Sequence, residues 1–381
     1  MSHATRSGSV ASDEMRIAWL VAGAIAMSCS TSVTPPRSGA PSASPVPQPT
    51  STSAMRSDSP APAARGQVVA DVALAGPAYA VALDTLRQRV FVRLADAVQI
   101  IDSSTLQQLA SVSVPDGNQW TGLAFDDAYG WLWAPSFSGS VSIIATAGPT
   151  PMVVETIPVE LNSGPVAVDR RTHLGYVVNI GREALHDDTL GMTSVVNPHT
   201  RRVVARIPAE GFPTSVTVNA PAGRVYVSVR HQNPTASSFV QVISADNLRE
   251  ITTIGTSALA SLVTDERTNR IYASTGTRPA PAGGFITAID GRTARATTFV
   301  APGVTPSVLG IDASRGHVYL AAREGQLVIA TEGDDMELTY SAGARYRIAT
   351  DPMGIAVDET RHRVYTVTYS QRLVVLRDDW P

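Results

Sequence analysis

Short apolar runs separated by turn-forming residues dominate the chain from about residue 67 onward, and this pattern predicts β-strands. Ala80–Leu83 is apolar throughout, which is typical of a strand packed on both faces. Arg89–Arg93 and Val98–Ile101 follow and are rich in β-branched and aromatic residues. Leu109–Val114 then alternates apolar and polar positions, as an outer strand does. These four segments predict a unit of four strands.

The same signature recurs seven times: an apolar run, an Asp or Asn, and an aromatic residue seven positions later. The pairs are Asp84 with Phe91, Asp126 with Trp133, Asp169 with Tyr176, Asn219 with Tyr226, Asp265 with Tyr272, Asp312 with Tyr319, and Asp358 with Tyr365. The successive spacings are 42, 43, 50, 46, 47 and 46 residues. Four-stranded units at this period are typical of β-propeller blades. Each Asp or Asn is expected to accept hydrogen bonds from backbone amides of the turn that it opens.

The last unit contains only three predicted strands, Gly354–Val357, Arg363–Tyr369 and Leu373–Leu376. Another strand, Val68–Leu74, precedes the first unit and has no partner within it. Pairing of this strand with the last blade would close the ring and remove its open edges. We therefore predict an all-β fold, a seven-bladed β-propeller of four-stranded blades over residues 67–381, with an open all-β solenoid as the alternative.

Several of these segments resemble the YVTN β-propeller repeat family. Val225–Ser228 (VYVS) and Val364–Val367 (VYTV) are similar to its naming tetrapeptide, as is Gly175–Asn179 (GYVVN). Ile101–Thr105 and Ile289–Thr293 are similar to its following Asp-x-x-Thr element. The resemblance implies a propeller that is exported or displayed at a surface and that in some members binds ligands or DNA. It implies little about chemistry, because one fold serves many functions.

The N-terminus predicts export. Residues 17–27 (IAWLVAGAIAM) form an eleven-residue apolar stretch after Arg16, too short for a membrane-spanning helix and long enough for a signal-peptide core. We assign residues 1–29 to the signal, with a second start at Met15 fitting as well. Cys29 follows Ser28 and resembles a lipoprotein lipidation site, so a lipid-anchored, periplasmic or cell-surface protein is expected, with plain secretion as the alternative. Residues 30–66 are rich in Pro, Ser, Thr and Ala and predict a disordered tether.

Composition narrows the function classes. The formal net charge is −3 and charged residues make up 17% of the chain, so no global cationic field favours nucleic acid. A single cysteine excludes a disulfide framework and a thiolate metal cluster. No cofactor motif is present, and we expect no cofactor, no metal site and a monomer.

In a propeller, the loops that lead into the innermost strands and the loops that join the second and third strands meet on one face. The predicted innermost segments contain no Asp, Glu, His, Lys or Arg, so a catalytic centre would depend on loop residues such as Asp116, Glu160, Asn162 and Asp351. Trp120 and Tyr79 lie where they would stack on a ligand or plug the ring.

The candidate ligand-binding residues lie mainly in the loops between the second and third strands. They are Arg182, His186, Asp187 and Asp188 in blade three, Arg230 and His231 in blade four, Arg278 in blade five and Arg323 in blade six, together with Trp120. The four arginines predict a local arc that attracts anions, whereas ordinary exposed loop residues are the simpler interpretation. His173, His199, His317 and His362 are interpreted as polar turn residues away from this face.

Three functions remain open. The first is an exported, noncatalytic scaffold that binds a protein, glycan or other envelope ligand on its loop face. The second is a propeller enzyme of lactonase or lyase type with a site at the channel mouth. The third is binding of a polyanion or nucleic acid through the arginine arc.

Overall fold

The structure, a computed structural model, describes residues 52–54, 66–179, 191–231, 238–256, 260–274 and 283–380. Almost all regular structure in this part of the chain is β-strand, with one short 3-10 turn at Asp334–Met336. The strands form seven sheets, each with an antiparallel four-stranded unit. No helix within the described ranges has the length and apolar character needed to cross a membrane.

Each blade contributes strands at four radial positions. The innermost strands are Ala80–Asp84, Ala124–Asp126, Ser163–Val168, Phe212–Asn219, Ser261–Asp265, Pro306–Asp312 and Pro352–Asp358. The second strands are Arg89–Arg93, Trp131–Ser136, Gly175–Asn179, Arg224–Arg230, Arg270–Ser274, His317–Ala322 and Arg363–Thr368. The third strands are Ala97–Asp102, Ser140–Ala145, Gly191–Asn197, Ser238–Ser244, Gly283–Asp290, Gln326–Glu332 and Arg372–Asp378. The outermost strands are Gln108–Ser113, Met152–Pro158, Arg202–Ala209, Glu250–Thr256, Ala296–Pro302, Leu338–Arg347 and Gly66–Ala73.

The ring closes as the sequence predicts. Gly66–Ala73 pairs antiparallel with Arg372–Asp378, and Val72 lies opposite Leu373. The innermost strands of successive blades contact one another all the way round, including blade seven with blade one. The prediction of a seven-bladed propeller closed by an N-terminal strand is therefore confirmed.

The apolar core is divided among the blade interfaces. Seven clusters of buried side chains each join two neighbouring blades. The repeat aromatics are fully buried, and each one belongs to the cluster shared with the following blade. Trp133, for example, packs in the cluster between blades two and three, where a Cβ on Gly175 would lie 2.3 Å from its ring. The seven-residue offset thus marks the side chain that locks one blade against the next.

The Asp or Asn of each repeat ends an innermost strand in six blades and immediately follows it in blade three. All seven side chains are buried, and each accepts a hydrogen bond from a backbone amide of the turn that follows. The fourth residue after each is in the left-handed region, with φ between 50° and 66°. Gly, Asn and His therefore suit this position, because their cost in that conformation is low.

Two details differ from the sequence interpretation. Six of the seven innermost strands are longer than predicted, and five of the seven end in a carboxylate, so the expectation that the inner strands carry no ionisable group is wrong in those five blades. Within residues 30–66, the structure describes Thr52–Ala54, which pairs in parallel with the outermost strand of blade five, and Gly66, where the closing strand begins. The rest of that segment and residues 1–29 lie outside the described part of the chain.

Candidate functional site

A cavity of about 650 Å³ lies at one mouth of the central channel. Its wall comes from the first residues of the innermost strands, and its rim comes from the loops that lead into those strands and from the ends of second strands. The buried Asp and Asn residues of the repeat lie at the other ends of the innermost strands and do not line it. The cavity is thus at the face on which sequence analysis expected a ligand.

Small residues occupy parts of the cavity wall where the innermost strands approach closely. A Cβ on Gly354 would lie 3.0 Å from Cα of Ala80, and a Cβ on Gly122 would lie 3.1 Å from Cα of Pro165. These distances are tighter than ordinary carbon contacts, so larger side chains at these glycines would push neighbouring blades apart. The ring geometry itself therefore favours small residues at this depth of the channel.

The hydroxyl groups of the wall are already hydrogen-bonded within the protein. Ser215 Oγ accepts from the amide of Leu262 at 3.1 Å, and Ser261 Oγ accepts from the amide of Leu309 at 3.3 Å. The Thr121, Thr214 and Ser307 hydroxyls likewise bond to neighbouring loop or strand atoms. Their main role is to link innermost strands and shape the loops.

An arginine and two aromatic rings form one side of the rim. The guanidinium carbon of Arg230 lies 5.3 Å from the ring centroid of Phe212, and the rings of Phe212 and Trp120 meet edge-on at 5.4 Å. Burial lowers the pKa of Arg230. No carboxylate within the described ranges forms an ion pair with Arg230, so its charge is offset mainly by the aromatic face.

Another part of the rim comes from blades one, six and seven. The rings of Tyr79 and Tyr369 lie 6.2 Å apart, and burial together with Tyr369 raises the pKa of Tyr79 although Arg93 opposes that rise. Arg323 is exposed. Asp351 is the one carboxylate among the described lining residues, and its backbone oxygen accepts from the amide of Tyr369 at 3.1 Å.

A buried arginine supports the loop below the rim. Arg93 is fully buried and donates to the carbonyl oxygens of Val114 and Pro115 at 2.9 and 2.7 Å. Burial lowers its pKa to about 10, against the opposing effect of the Asp116 and Asp96 carboxylates. Arg93 fixes the chain that leads to Trp120, so it is a positioning residue rather than a ligand contact.

The structure brings three of the predicted site residues together. Trp120, Arg230 and Arg323 all line the cavity. His231 is half-buried beside Phe239, with ring centroids 5.7 Å apart, and is not among the lining residues. The remaining candidates lie outside the described residues, and they are Arg182, His186, Asp187, Asp188, Arg278 and the lipidation candidate Cys29.

Most polar loop residues singled out in the sequence serve the turns. Asp116, Asn162 and Asp351 have φ values of 52°, 56° and 56°, the left-handed region that Asp and Asn tolerate. Glu160 forms an ion pair with Arg206 at 2.8 Å. No group of three or more metal-ligating side chains occurs in the part of the chain that the structure describes.

The interpretation of the histidines as polar turn residues is wrong for His317, whereas His173 and His362 lie on turns as predicted and also contact the neighbouring blade. His317 is fully buried in a second strand and pairs with Asp378 at 2.7 Å. His173 pairs with Asp126 at 2.9 Å and His362 with Asp312 at 2.8 Å. Each pair joins neighbouring blades, so these residues are structural contacts between blades.

Tyr369 and Met353 also line the cavity and were not recognised in the sequence. Tyr369 lies eleven positions after Asp358, as Arg230 does after Asn219 and Arg323 after Asp312. Alignment of the repeats by that offset would have found it. Met353 directly precedes Gly354, and no feature of the repeat marks it as a cavity residue.

Comparisons with known proteins support the fold. No protein-family model matches the chain. No curated protein matches it. Among solved structures, hydrazine synthase from Kuenenia stuttgartiensis is similar with a TM-score of 0.67 and 14% sequence identity, over 80% of this chain and 96% of that chain. At that identity the similarity establishes the β-propeller architecture alone.

Proposed function

We propose that this chain is an exported, noncatalytic propeller of the YVTN type that binds a ligand at the mouth of its central channel. The observation that carries the proposal is the 650 Å³ cavity framed by Arg230, Arg323, Trp120, Tyr79 and Tyr369. Ligand pockets commonly have volumes of about 300–1,000 Å³ and combine an apolar wall with a few polar groups. A rigid ring suits this role, because rim residues can vary without disturbing the blade interfaces.

A thermal-shift screen with matched cavity variants tests the binding site. Met353→Trp would fill the cavity, whereas Met152→Trp makes the same change on an exposed outermost strand. A ligand that binds only the folded state stabilises it according to its concentration relative to Kd. We expect ligands that raise the Tm of the wild-type chain to act equally on Met152→Trp and to lose their effect on Met353→Trp.

Ligand shifts that persist in Met353→Trp would place binding elsewhere and contradict the proposal. Catalysis is tested separately with Asp351→Asn, because Asp351 is the carboxylate that lines the described cavity. A substrate whose turnover is abolished by Asp351→Asn would replace the noncatalytic proposal with an enzymatic one.

Export is the second part of the proposal, and its support is the signal-like segment before Cys29. We expect the mature chain from a bacterial host to begin at Cys29 and to carry lipid mass, detected by mass spectrometry of the N-terminal peptide. Cys29→Ser should abolish the added mass. A mature chain that retains residues 1–28 would contradict export through a cleaved signal.

A further inference from the structure

The chemistry of the cavity changes with depth. The wall includes half-buried apolar residues, among them Leu123, Pro165, Val263 and Ile355. Its serine and threonine hydroxyls each form a hydrogen bond to a protein atom, which uses part of their capacity, and Gln119 adds one side-chain amide to the lining. A sugar ring needs polar partners for many hydroxyl groups and would lose solvation at such a wall. An apolar body has no such hydrogen bonds with water to lose.

The rim has the opposite character. Arg230 and Arg323 contribute two positive charges and Asp351 one negative charge, which leaves a net positive rim. The guanidinium carbon of Arg230 lies over the Phe212 ring, and no described carboxylate forms an ion pair with its N–H groups, so they are candidates for binding a ligand. A guanidinium recognises carboxylate, sulfonate or phosphate oxygens through paired hydrogen bonds. Partial burial strengthens such a bond, since the surrounding dielectric is lower than that of water.

We propose that the channel mouth binds an organic anion with an apolar body. This inference rests on the proposed function and specifies its ligand class. The anionic group bonds to Arg230, with Arg323 adding to the positive potential. The apolar body lies against the small residues of the wall and the ring of Trp120. Charge complementarity at the rim selects an anion, and the apolar residues of the wall favour an apolar body over a glycan.

Two fluorescent probes of nearly equal shape separate the two halves of the inference. One is 8-anilino-1-naphthalenesulfonate, an anion, and the other is N-phenyl-1-naphthylamine, which lacks the sulfonate. Both are titrated into the purified full chain at fixed ionic strength. We expect saturable one-to-one binding of the sulfonate, at least tenfold tighter than binding of the neutral probe, with energy transfer from tryptophan that decreases in Trp120→Phe.

Arginine variants then locate the anionic group. Arg230→Gln should weaken the sulfonate at least tenfold and change binding of the neutral probe less than twofold. Arg230→Lys should restore part of the affinity, because it keeps the charge and loses the planar fork. Arg249→Gln removes an exposed arginine from another turn of blade four and should change neither probe. Arg323→Gln provides a second test if Arg230→Gln does not fold.

The outcomes distinguish the inference from the proposed function. Equal affinity for the two probes, or sulfonate binding that Arg230→Gln and Arg323→Gln both leave unchanged, overturns the organic anion while the cavity remains a binding site. If neither probe binds, the organic-anion inference fails; if Met353→Trp leaves both affinities unchanged, the cavity is not the site and both proposals fail.

Discussion

The turn that follows each innermost strand shows how single side chains hold neighbouring blades together. Its key position is the left-handed residue four places after the repeated Asp or Asn. Where the left-handed turn position is His or Asn, its side chain reaches the buried Asp or Asn of the preceding blade. This occurs with His173 and Asp126, with Asn269 and Asn219, and with His362 and Asp312. These contacts join blades two to three, four to five and six to seven. Where the turn position is Gly, the Asp of the preceding blade pairs within its own blade, as Asp84, in the blade before Gly130, does with Arg87.

Glu332 is a residue whose burial makes a pH dependence predictable. Its side chain is 4% exposed and its carboxylate lies 3.5 Å from the guanidinium of Arg267. Burial raises the pKa of Glu332 to about 7, with Asp265 adding to the rise and Tyr272 and Arg270 opposing it. The folded state therefore favours the protonated acid, and the ionised form is the destabilising one.

We expect Glu332→Gln to stabilise the fold at pH 8 and not at pH 4. A carboxyl with a raised pKa binds more protons in the folded state between about pH 4.5 and 7, so its contribution to stability falls as pH rises through that range. The gain at pH 8 should be roughly 2–4 kcal/mol in the free energy of unfolding, measured by urea denaturation. Glu337→Gln, an exposed carboxylate of the same blade, should behave like the wild type. Equal effects of Glu332→Gln at both pH values would show that the buried carboxyl does not titrate in this range.

At the scale of strands and blades, two repeated positions perform two different tasks. The aromatic residue, fully buried in every blade, fills the interface with the next blade. A small residue near the start of several innermost strands, such as Gly354 against Ala80, allows neighbouring strands to approach. One position supplies buried apolar area and the other allows close approach, and both are needed for wedge-shaped sheets to close around a narrow channel.

The whole molecule depends on the strand that closes its ring. Gly66–Ala73 covers the edge of Arg372–Asp378, whose apolar residues Leu373 and Val375 are buried. Removal of that strand would leave an open sheet edge and expose a blade interface. The joined ends also explain why seven modest interfaces behave as one fold, since none can separate without opening the ring.

We expect a chain of residues 66–381 to keep the wild-type Tm and a chain of residues 75–381 to lose cooperative unfolding or to aggregate. The difference is the strand that pairs with Arg372–Asp378. Calorimetry and size-exclusion chromatography of the two chains provide the measurement. A chain of residues 75–381 with the same Tm as the longer one would show that ring closure does not require this strand.

The position of the cavity could be predicted from the sequence, whereas its chemistry could not. Repeat alignment placed Trp120, Arg230 and Arg323 on one face, because loops at equal positions in each blade must meet there. It did not show that Phe212 lies beneath the Arg230 guanidinium or that the Ser215 and Ser261 hydroxyls bond to the next blade. Those contacts join residues from different repeats, and no local pattern records them. The histidine contacts between blades were missed for the same reason.

The number of blades, the strand that closes the ring and the turn that ends each innermost strand could all be predicted from the sequence. These features depend on local periodicity, and a period of 42 to 50 residues with one repeated Asp or Asn and one aromatic leaves little choice of architecture. The side chains that line the channel mouth, and the hydroxyl groups that are hydrogen-bonded within the protein, became apparent only in the folded structure. These properties arise where seven chain segments far apart in sequence converge around one axis.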